Sequence, residues 1–441
     1  FFFQRTTRIP TMRADLFALG VMGFCVIYDL TIYSASILPY IQSLASSDDQ
    51  ASLILSIVIS CSAFTQVVVG ISSGFLAKRY SMKYVIFVLQ LIGMVGILVY
   101  AFSGWPIGSA WGIVIGRSIC GANTAVVGLS LAYVSTIAKD QAERGTLIAN
   151  IRAVTIVAAI PSSIMSLILA LPFLDFSIGP YNFNVYTYPA WTSLVLQTIS
   201  WALNSFLLRP VENKAQHIPH KEGKQKNIYI STGVILIFLI FFYDGYLIGT
   251  FSYALPIVML EGYGWNIIAY SLVWLGISII GLMAIMFTKF AGKKLGHSFY
   301  LIVVPALSGL CILCAFLIVG SAGVGRLPTG VGETCFLIGI ELGFACFQII
   351  QTSLSSIFST VIPPEFIIRM MPITSSITAL GKISGPLVSE LEVSLFGMGS
   401  VFYVYLIITF SLLIVLIAKS KHMRAIDHSP LLQEAEYHSE V

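Results

Sequence analysis

Apolar stretches of about 20 residues or more recur along almost the whole chain, separated by short polar or turn-forming segments. Runs of that length match a hydrocarbon layer of about 30 Å crossed by α-helices, so the pattern predicts membrane spans and leaves no sizeable soluble domain. Twelve spans are predicted, at about 15–42, 51–76, 83–103, 109–137, 146–172, 188–208, 228–258, 264–288, 297–320, 334–362, 367–394 and 400–418. The first is too long for a cleavable signal peptide and is expected to be retained, although the chain starts at Phe1 rather than a methionine. Two spans carry the same anomaly. "CVIYDLTIYSASILPY" places Asp29, and "FLIFFYDGYLIGTFSYALP" places Asp244, after a tyrosine and before a proline in otherwise apolar sequence.

Composition agrees: 57% of the 441 residues are hydrophobic and 10% are charged, against about 25% charged in soluble domains. The position of charge matters more than its +4 sum, and nothing points to nucleic acid as a partner. With a cytosolic amino terminus, 20 of the 24 lysines and arginines fall on the inner side, Arg326 alone falls outside, and Arg117, Arg152 and Lys382 lie within spans. That bias predicts two cytosolic termini. All seven cysteines lie in or at the edge of spans, so no extramembrane disulfide framework is expected. The Cys311-x-x-Cys314 pair lacks a second pair or a nearby histidine and reads as helix packing rather than a metal site. The six histidines lie in predicted loops or the tail, so a proton relay within the membrane would have to use carboxylates.

The chain repeats itself. A shift of 215 residues places Asp29 on Asp244, Lys78 on Lys293 and Arg79 on Lys294; a shift of 225 places Asp140 on Glu365, Arg144 on Arg369 and Pro161 on Pro386. The fold class expected is therefore an all-α polytopic membrane protein, with 12 transmembrane helices in two pseudo-symmetric six-helix bundles. The divisions are a tail at 1–14, a bundle at 15–208, a linker at 209–227, a bundle at 228–418 and a tail at 419–441. The linker "RPVENKAQHIPHKEGKQKN" is polar and without apolar periodicity.

Parallel six-helix halves resemble the major facilitator transporters. "GFLAKRYSMK" is similar to that family's Gly-x-x-x-Asp-Arg-x-Gly-Arg-Lys loop, with Gly74, Arg79 and Lys83 matching as a cytosolic gating loop, Lys78 in place of the aspartate and Ser81 in place of the glycine. "RSICGANTA", beginning at Arg117, resembles the fourth-helix Arg-x-x-x-Gly motif, and "GKISGP" the Gly-Pro motif of helix eleven. Pro161 takes the corresponding place in helix five, preceded by Ile160 rather than glycine. A narrower likeness runs through "GANTAVVGLSLAYVSTIAKDQAERGTLIANI", "FNVYTYPAWTSLVL", "TKFAGKKLG" and "GKISGP". These resemble the lysosomal major facilitator family whose human member is lost in a late-infantile neuronal ceroid lipofuscinosis. Membership would imply a lysosomal or late endosomal membrane protein with chloride as the proposed permeant. The long glycosylated luminal loop of that family is here about "SAGVGRLPTGVGE", and the chain holds no Asn-x-Ser/Thr sequon.

An ionisable group at mid-bilayer costs at least about 2.5 to 3.5 kcal/mol and usually faces a partner or a wet cavity. Asp29 and Asp244 are thus candidates for proton coupling or charge balance, the alternative being structural pairs with Tyr28 and Tyr243 or with a basic residue. Arg117 and Lys382 are candidates either for contacting an anion or for neutralising those aspartates. Glu341 is expected in a stabilising interhelical ion pair, and Arg152 is expected to snorkel toward the cytosol. Gly70 with Gly74, Gly339 with Gly343, and Gly381 with Gly385 form small-residue faces suited to close helix packing.

In the tail, "DHSPLL" fits an acidic dileucine signal, with Asp427, Leu431 and Leu432 readable by a clathrin adaptor. No nucleophile–base constellation or nucleotide-binding loop is present, so neither an enzyme nor a cofactor is expected. The expectation is a secondary transporter working by alternating access on a small anionic solute, with proton linkage as an option. The alternatives are a chloride-conducting channel on the same scaffold and a non-transporting scaffold or receptor.

Overall fold

In the computed structural model, described residues are 10–138, 141–171, 175–210, 232–295, 299–322, 330–362, 366–397 and 399–419. The dileucine residues Asp427, Leu431 and Leu432, most of the linker, and the repeat partners Asp140 and Glu365 lie outside them.

Each predicted span appears as helix. In the first half these are α1 (Pro10–Ile32) with α2 (Ile37–Leu44), α3 (Asp48–Tyr80), α4 (Met82–Ala101), α5 (Ala110–Thr124) with α6 (Val126–Ile137), α7 (Gln141–Val157) with α8 (Ala159–Leu169), and α9 (Tyr188–Leu207). In the second half they are α10 (Thr232–Pro256), α11 (Ile267–Leu295), α12 (Phe299–Ala322), α13 (Val331–Val361), α14 (Ile367–Phe396) and α15 (Ser400–Ala418). A short antiparallel ribbon, β1 (Phe176–Ile178) and β2 (Tyr181–Phe183), covers the loop before α9.

Among the described residues, ten stretches are long and apolar enough to cross a membrane by themselves. The two that need help are α9 and α14. The polarity of α9 is internal: Gln90 on α4 donates to Ser200 (3.0 Å) and accepts from Asn204 (2.9 Å), so polar side chains meet between helices rather than in lipid, while Asn204 Oδ1 and the Gln197 amide are buried without partners. The polarity of α14 belongs to the centre of the molecule, described below.

Three single spans are broken where the sequence removes a helical bond or tightens a turn. The clearest case is the α7/α8 break at Ala158, where Pro161 cannot donate to the carbonyl of Val157. Likewise α10 ends at Pro256 and passes into a π-helical turn, Ile257–Gly262.

Small residues draw the halves and their helices together. A Cβ at Gly245 would overlap the Thr378 carbonyl, one at Gly381 would overlap that of Phe242, and one at Gly249 would lie 2.9 Å from that of Lys382, so α10 and α14 run in backbone contact. Between the halves, Gly70 faces Pro372 and Ser376, and a Cβ at Gly74 would lie 3.5 Å from the Arg369 backbone, which seats α3 on α14.

The face bearing the α3/α4 turn is sealed across the halves. Arg144 donates from α7 to the Ser359 carbonyl of α13 (3.0 Å), Lys289 of α11 donates to Asn150 of α7 (2.8 Å), and Gln66 donates to Ser375 (3.2 Å). On the opposite face the exposed Gln42–Glu261 bond (3.0 Å) joins the end of α2 to the π-helical turn.

Of the three matching loop residues, Gly74 reaches the opposite half. Lys83 instead donates to the Ser205 carbonyl near the end of α9 (2.8 Å), and Arg79 lies over the adjacent Tyr80 ring at 5.4 Å. Ser81, standing where the motif has glycine, links α3 to α4 at φ 80°, and its hydroxyl has no partner. A side chain held at positive φ costs about 1–3 kcal/mol. Ser81→Gly is expected to stabilise the folded protein by roughly 1 kcal/mol, read as a higher unfolding temperature in detergent. A lower temperature would show that the serine side chain contributes more than its backbone geometry removes.

Candidate functional site

The repeat that places Asp29 on Asp244 predicts equivalent surroundings for the two carboxylates. The structure gives them different ones.

Asp29 sits on α1, 3% exposed, and accepts from Arg117 Nη1 of α5 at 3.2 Å. The Arg117 guanidinium also lies 4.4 Å from the centre of the Tyr33 ring, which meets Tyr100 edge-on at 4.5 Å. A desolvated cation over an aromatic face adds about 2 kcal/mol to such a site. The pair therefore joins α1 to α5 inside the first half, under a roof of two tyrosines. Of the two roles open to Arg117, this geometry realises neutralisation of Asp29. Tyr28 stacks beside Phe24 and does not bond the carboxylate.

Asp244, on α10, is 1% exposed, and neither of its oxygens has a hydrogen-bond partner. Its neighbour Tyr243 turns away to bond Thr409 and stack on Tyr405. The position matching Arg117 in the second half, under the 225-residue shift, is Leu342, so that position supplies no equivalent of the first pair. Instead two cations act on Asp244 through space: Arg152 from α7 of the first half, and Lys382 from α14. Lys382 is brought there by the glycine seam, since it follows Gly381 while Asp244 precedes Gly245. The Gln351 amide of α13 faces the same carboxylate, short of hydrogen-bonding geometry.

Arg152 does not snorkel, which corrects the sequence expectation. Its Nη2 donates across the halves to Ser355 Oγ of α13 at 3.3 Å, its Nε is buried without a partner, and its charge acts on both Asp244 and Lys382. A second correction concerns Glu341. It has no basic partner among the described residues, and its Oε1 lies against Gly276 of α11, where an added Cβ would be 2.7 Å away. An uncharged glycine opposite the carboxylate makes room for it without pairing it.

The centre between the halves thus holds two cations and one carboxylate, with Arg152 and Lys382 only half-buried although they lie deep in the bundle. The arrangement can hold an anionic group between a guanidinium from one half and an ammonium from the other. Sequence reasoning missed Arg152, Gln351 and Ser355 as members of this cluster. For Arg152 the available signal was a basic residue in a span of the half opposite an acidic one.

Among the described residues no group of three or more His, Cys, Asp or Glu could hold a metal, and the cysteines, Cys311 and Cys314 included, are free thiols.

A family model described as Major Facilitator Superfamily matches residues 19–367, and the chain belongs to that superfamily. It is 22% identical over 404 residues to the MFS-type transporter PUL3 of Kluyveromyces lactis, covering 82% of this chain and 86% of that one. Among solved structures, the human organic anion transporter MFSD10 (TETRAN) superposes with a TM-score of 0.69 at 14% identity, covering 92% of this chain and all of that one. The proton:xylose symporter XylE, bound to 6-bromo-6-deoxy-D-glucose, gives a TM-score of 0.69 at 15% identity, covering 92% and 95%. These two likenesses establish the fold. The protein is a multi-pass membrane protein of a superfamily of solute transporters.

Removing one member of a buried ion pair strands the other and typically costs about 3–5 kcal/mol. Arg117→Leu is therefore expected to destabilise the protein by that order, while the double variant Asp29→Asn with Arg117→Leu recovers most of the loss. A detergent melting series on the two variants checks this; equal loss in both would show that the pair contributes through packing rather than charge.

Proposed function

We propose that the protein is a secondary transporter of a small anionic solute, working by alternating access, with Lys382 and Asp244 at its central site. The observation that carries this reading is the uneven charge at the centre. Two cations from opposite halves face one carboxylate that makes no hydrogen bond, and an ionised group at membrane depth is kept where it meets a partner or a hydrated path. In superfamily architecture the solute site lies near the midplane between the halves, which is where Arg152, Asp244 and Lys382 meet. Asp244 supplies proton linkage or charge balance. Asp29 is closed away with Arg117 and serves the first half's structure, so of the two aspartates the second is the transport residue.

We further place the protein in the lysosomal or late endosomal membrane with both termini cytosolic. The support is the likeness of segments such as "GKISGP" to the lysosomal family, the inner bias of basic residues, and the "DHSPLL" sequence in a tail where a clathrin adaptor could read it. The same likeness makes chloride a specific candidate and a chloride-conducting pore the second reading. The cross-half seal formed by Arg144 and Ser359 favours a carrier over an open pore.

Anions are expected to raise the unfolding temperature of the purified protein when screened as inorganic salts and small metabolites, and Lys382→Leu is expected to lose that response while remaining folded. A neutral solute stabilising wild type and Lys382→Leu equally would reject the anion site. Unitary channel currents from reconstituted protein would favour the pore, and a folded wild type that moves no solute would favour a scaffold or receptor.

A further inference from the structure

The reading of the centre as an anion site can be taken one step further, to the chemical class of the solute and its coupling. Both oxygens of Asp244 are buried without a hydrogen bond where the glycine seam brings α14 and Lys382 against α10, Arg152 reaches across the halves to Ser355 with its Nε buried and unspent, and the Lys382 ammonium makes no hydrogen bond among the described residues. Buried donors and acceptors are normally paired, so a set left open together calls for an occupant that uses them. The groups facing Asp244 are few. Arg152 comes from α7, Lys382 from α14 and Gln351 from α13, while α3 and α15, which also pack on α10, bring no charged group to bear on it.

We infer that Asp244 is a built-in stand-in for the solute's own carboxylate, and that the protein carries a small monocarboxylate together with one proton. This rests on the anion-transport reading above. In the empty carrier the Asp244 carboxylate offsets one of the two central cations. When a monocarboxylate enters, it takes the place between Arg152 and Lys382, and Asp244 takes up a proton from the solution on the same side. The site then holds the same net charge as before: the entering carboxylate replaces the one that has been neutralised. Release on the far side reverses both steps, the solute leaving as its anion and Asp244 returning its proton. One negative and one positive charge cross together, so the cycle is electroneutral and no oxidant or reductant takes part.

Arg152 gives the exchange its mechanical meaning. It is the member of the cluster supplied by the first half, and it is already held to the second half through Ser355. A planar guanidinium can accept a carboxylate in a two-point grip that an ammonium cannot reproduce. Arg152 is therefore the positioning residue that lets a carboxylate bridge the halves, with Lys382 as the point charge opposite.

The test uses the full chain in proteoliposomes with radiolabelled pyruvate, lactate, glycolate and chloride. The expected result is uptake of at least one of these carboxylates that is accelerated by an acid-outside gradient, is accompanied by interior acidification, and is unaffected by a valinomycin-imposed potential. Asp244→Asn, whose amide mimics the protonated acid, is expected to lose roughly tenfold or more of gradient-driven net uptake, which corresponds to about 1.4 kcal/mol, while counterflow exchange remains measurable. Arg152→Gln is expected to lose both modes and Arg152→Lys to regain part of the exchange, with monodisperse elution confirming that each variant folds. Uptake of any of the four anions driven by membrane potential without proton movement would overturn the inference and leave anion transport standing. So would an Asp244→Asn protein with an unchanged response to the gradient. Absence of wild-type flux with every one of the four anions would overturn the inference; anion-induced thermal stabilisation in the same preparation would keep the anion site, and its absence would remove that reading too.

Discussion

A charge placed in a low-dielectric layer must be met by an opposite charge, by hydrogen bonds or by water, and the interior of this molecule is organised around how that demand is satisfied. In the first half it is met locally, through one hydrogen-bonded ion pair on one oxygen of Asp29, while the other oxygen is buried without a partner. Arg117 reaches Asp29 from the adjacent span and lies on the Tyr33 ring, so the pair is a closed unit within one bundle. In the second half the corresponding arginine position is occupied by Leu342, and the unmet charge of Asp244 is answered from elsewhere. Part of the answer comes from Lys382 in the same half and part from Arg152 in the other. The electrostatic problem of one bundle is thereby solved only when the two bundles are together. A carrier needs such a coupling, because the energy of assembling the site is then also an energy of moving one half relative to the other.

Packing makes that electrostatics possible. Asp244 and Lys382 meet because Gly245, Gly249, Gly381 and Gly385 let the α10 and α14 backbones touch, each charged residue adjoining one of these glycines. Without a hydrophobic force to drive helices together in lipid, close van der Waals contact of this kind is a main source of association. The same device continues outward. Gly70 and Gly74 press α3 of the first half onto α14, so a single helix of the second half both carries Lys382 and packs against the last turns of α3.

Much of the architecture was legible from the chain. The twelve apolar runs, their offset repeats and the polar linker give the two-bundle plan, because a lipid solvent imposes a long and nearly uninterrupted hydrophobic signal on every span. The breaks within spans were not resolved as separate helices, since an interruption of one residue at Ala125 or Ala158 hardly alters hydropathy. At the centre, sequence identified Asp29, Asp244, Arg117 and Lys382 as residues with something to explain, but not how they divide. Repeat symmetry treats the two aspartates as equals, and only three dimensions show Arg117 spent on one of them. Arg152 was read by its distance along the helix from the cytosolic end. Its true direction depends on the neighbour across the cleft, Ser355, more than 200 positions away along the chain. Glu341 shows the converse: a carboxylate within a span invites a search for a partner, yet here a glycine on α11 supplies room instead.

The seam between α10 and α14 has a geometric consequence. Two helices locked backbone to backbone cannot slide past one another by a fraction of a turn without collision, so they must tilt as one beam. Lys382 and Arg369 lie on the same beam, and at about 1.5 Å per residue they are separated by roughly 20 Å. A tilt of about 5° pivoting near the ammonium would carry the Arg369 end through roughly 2 Å over that length, enough to loosen its packing against Gly74. Events among three side chains at mid-depth are in this way magnified by leverage at the membrane surface, with no need for either bundle to bend.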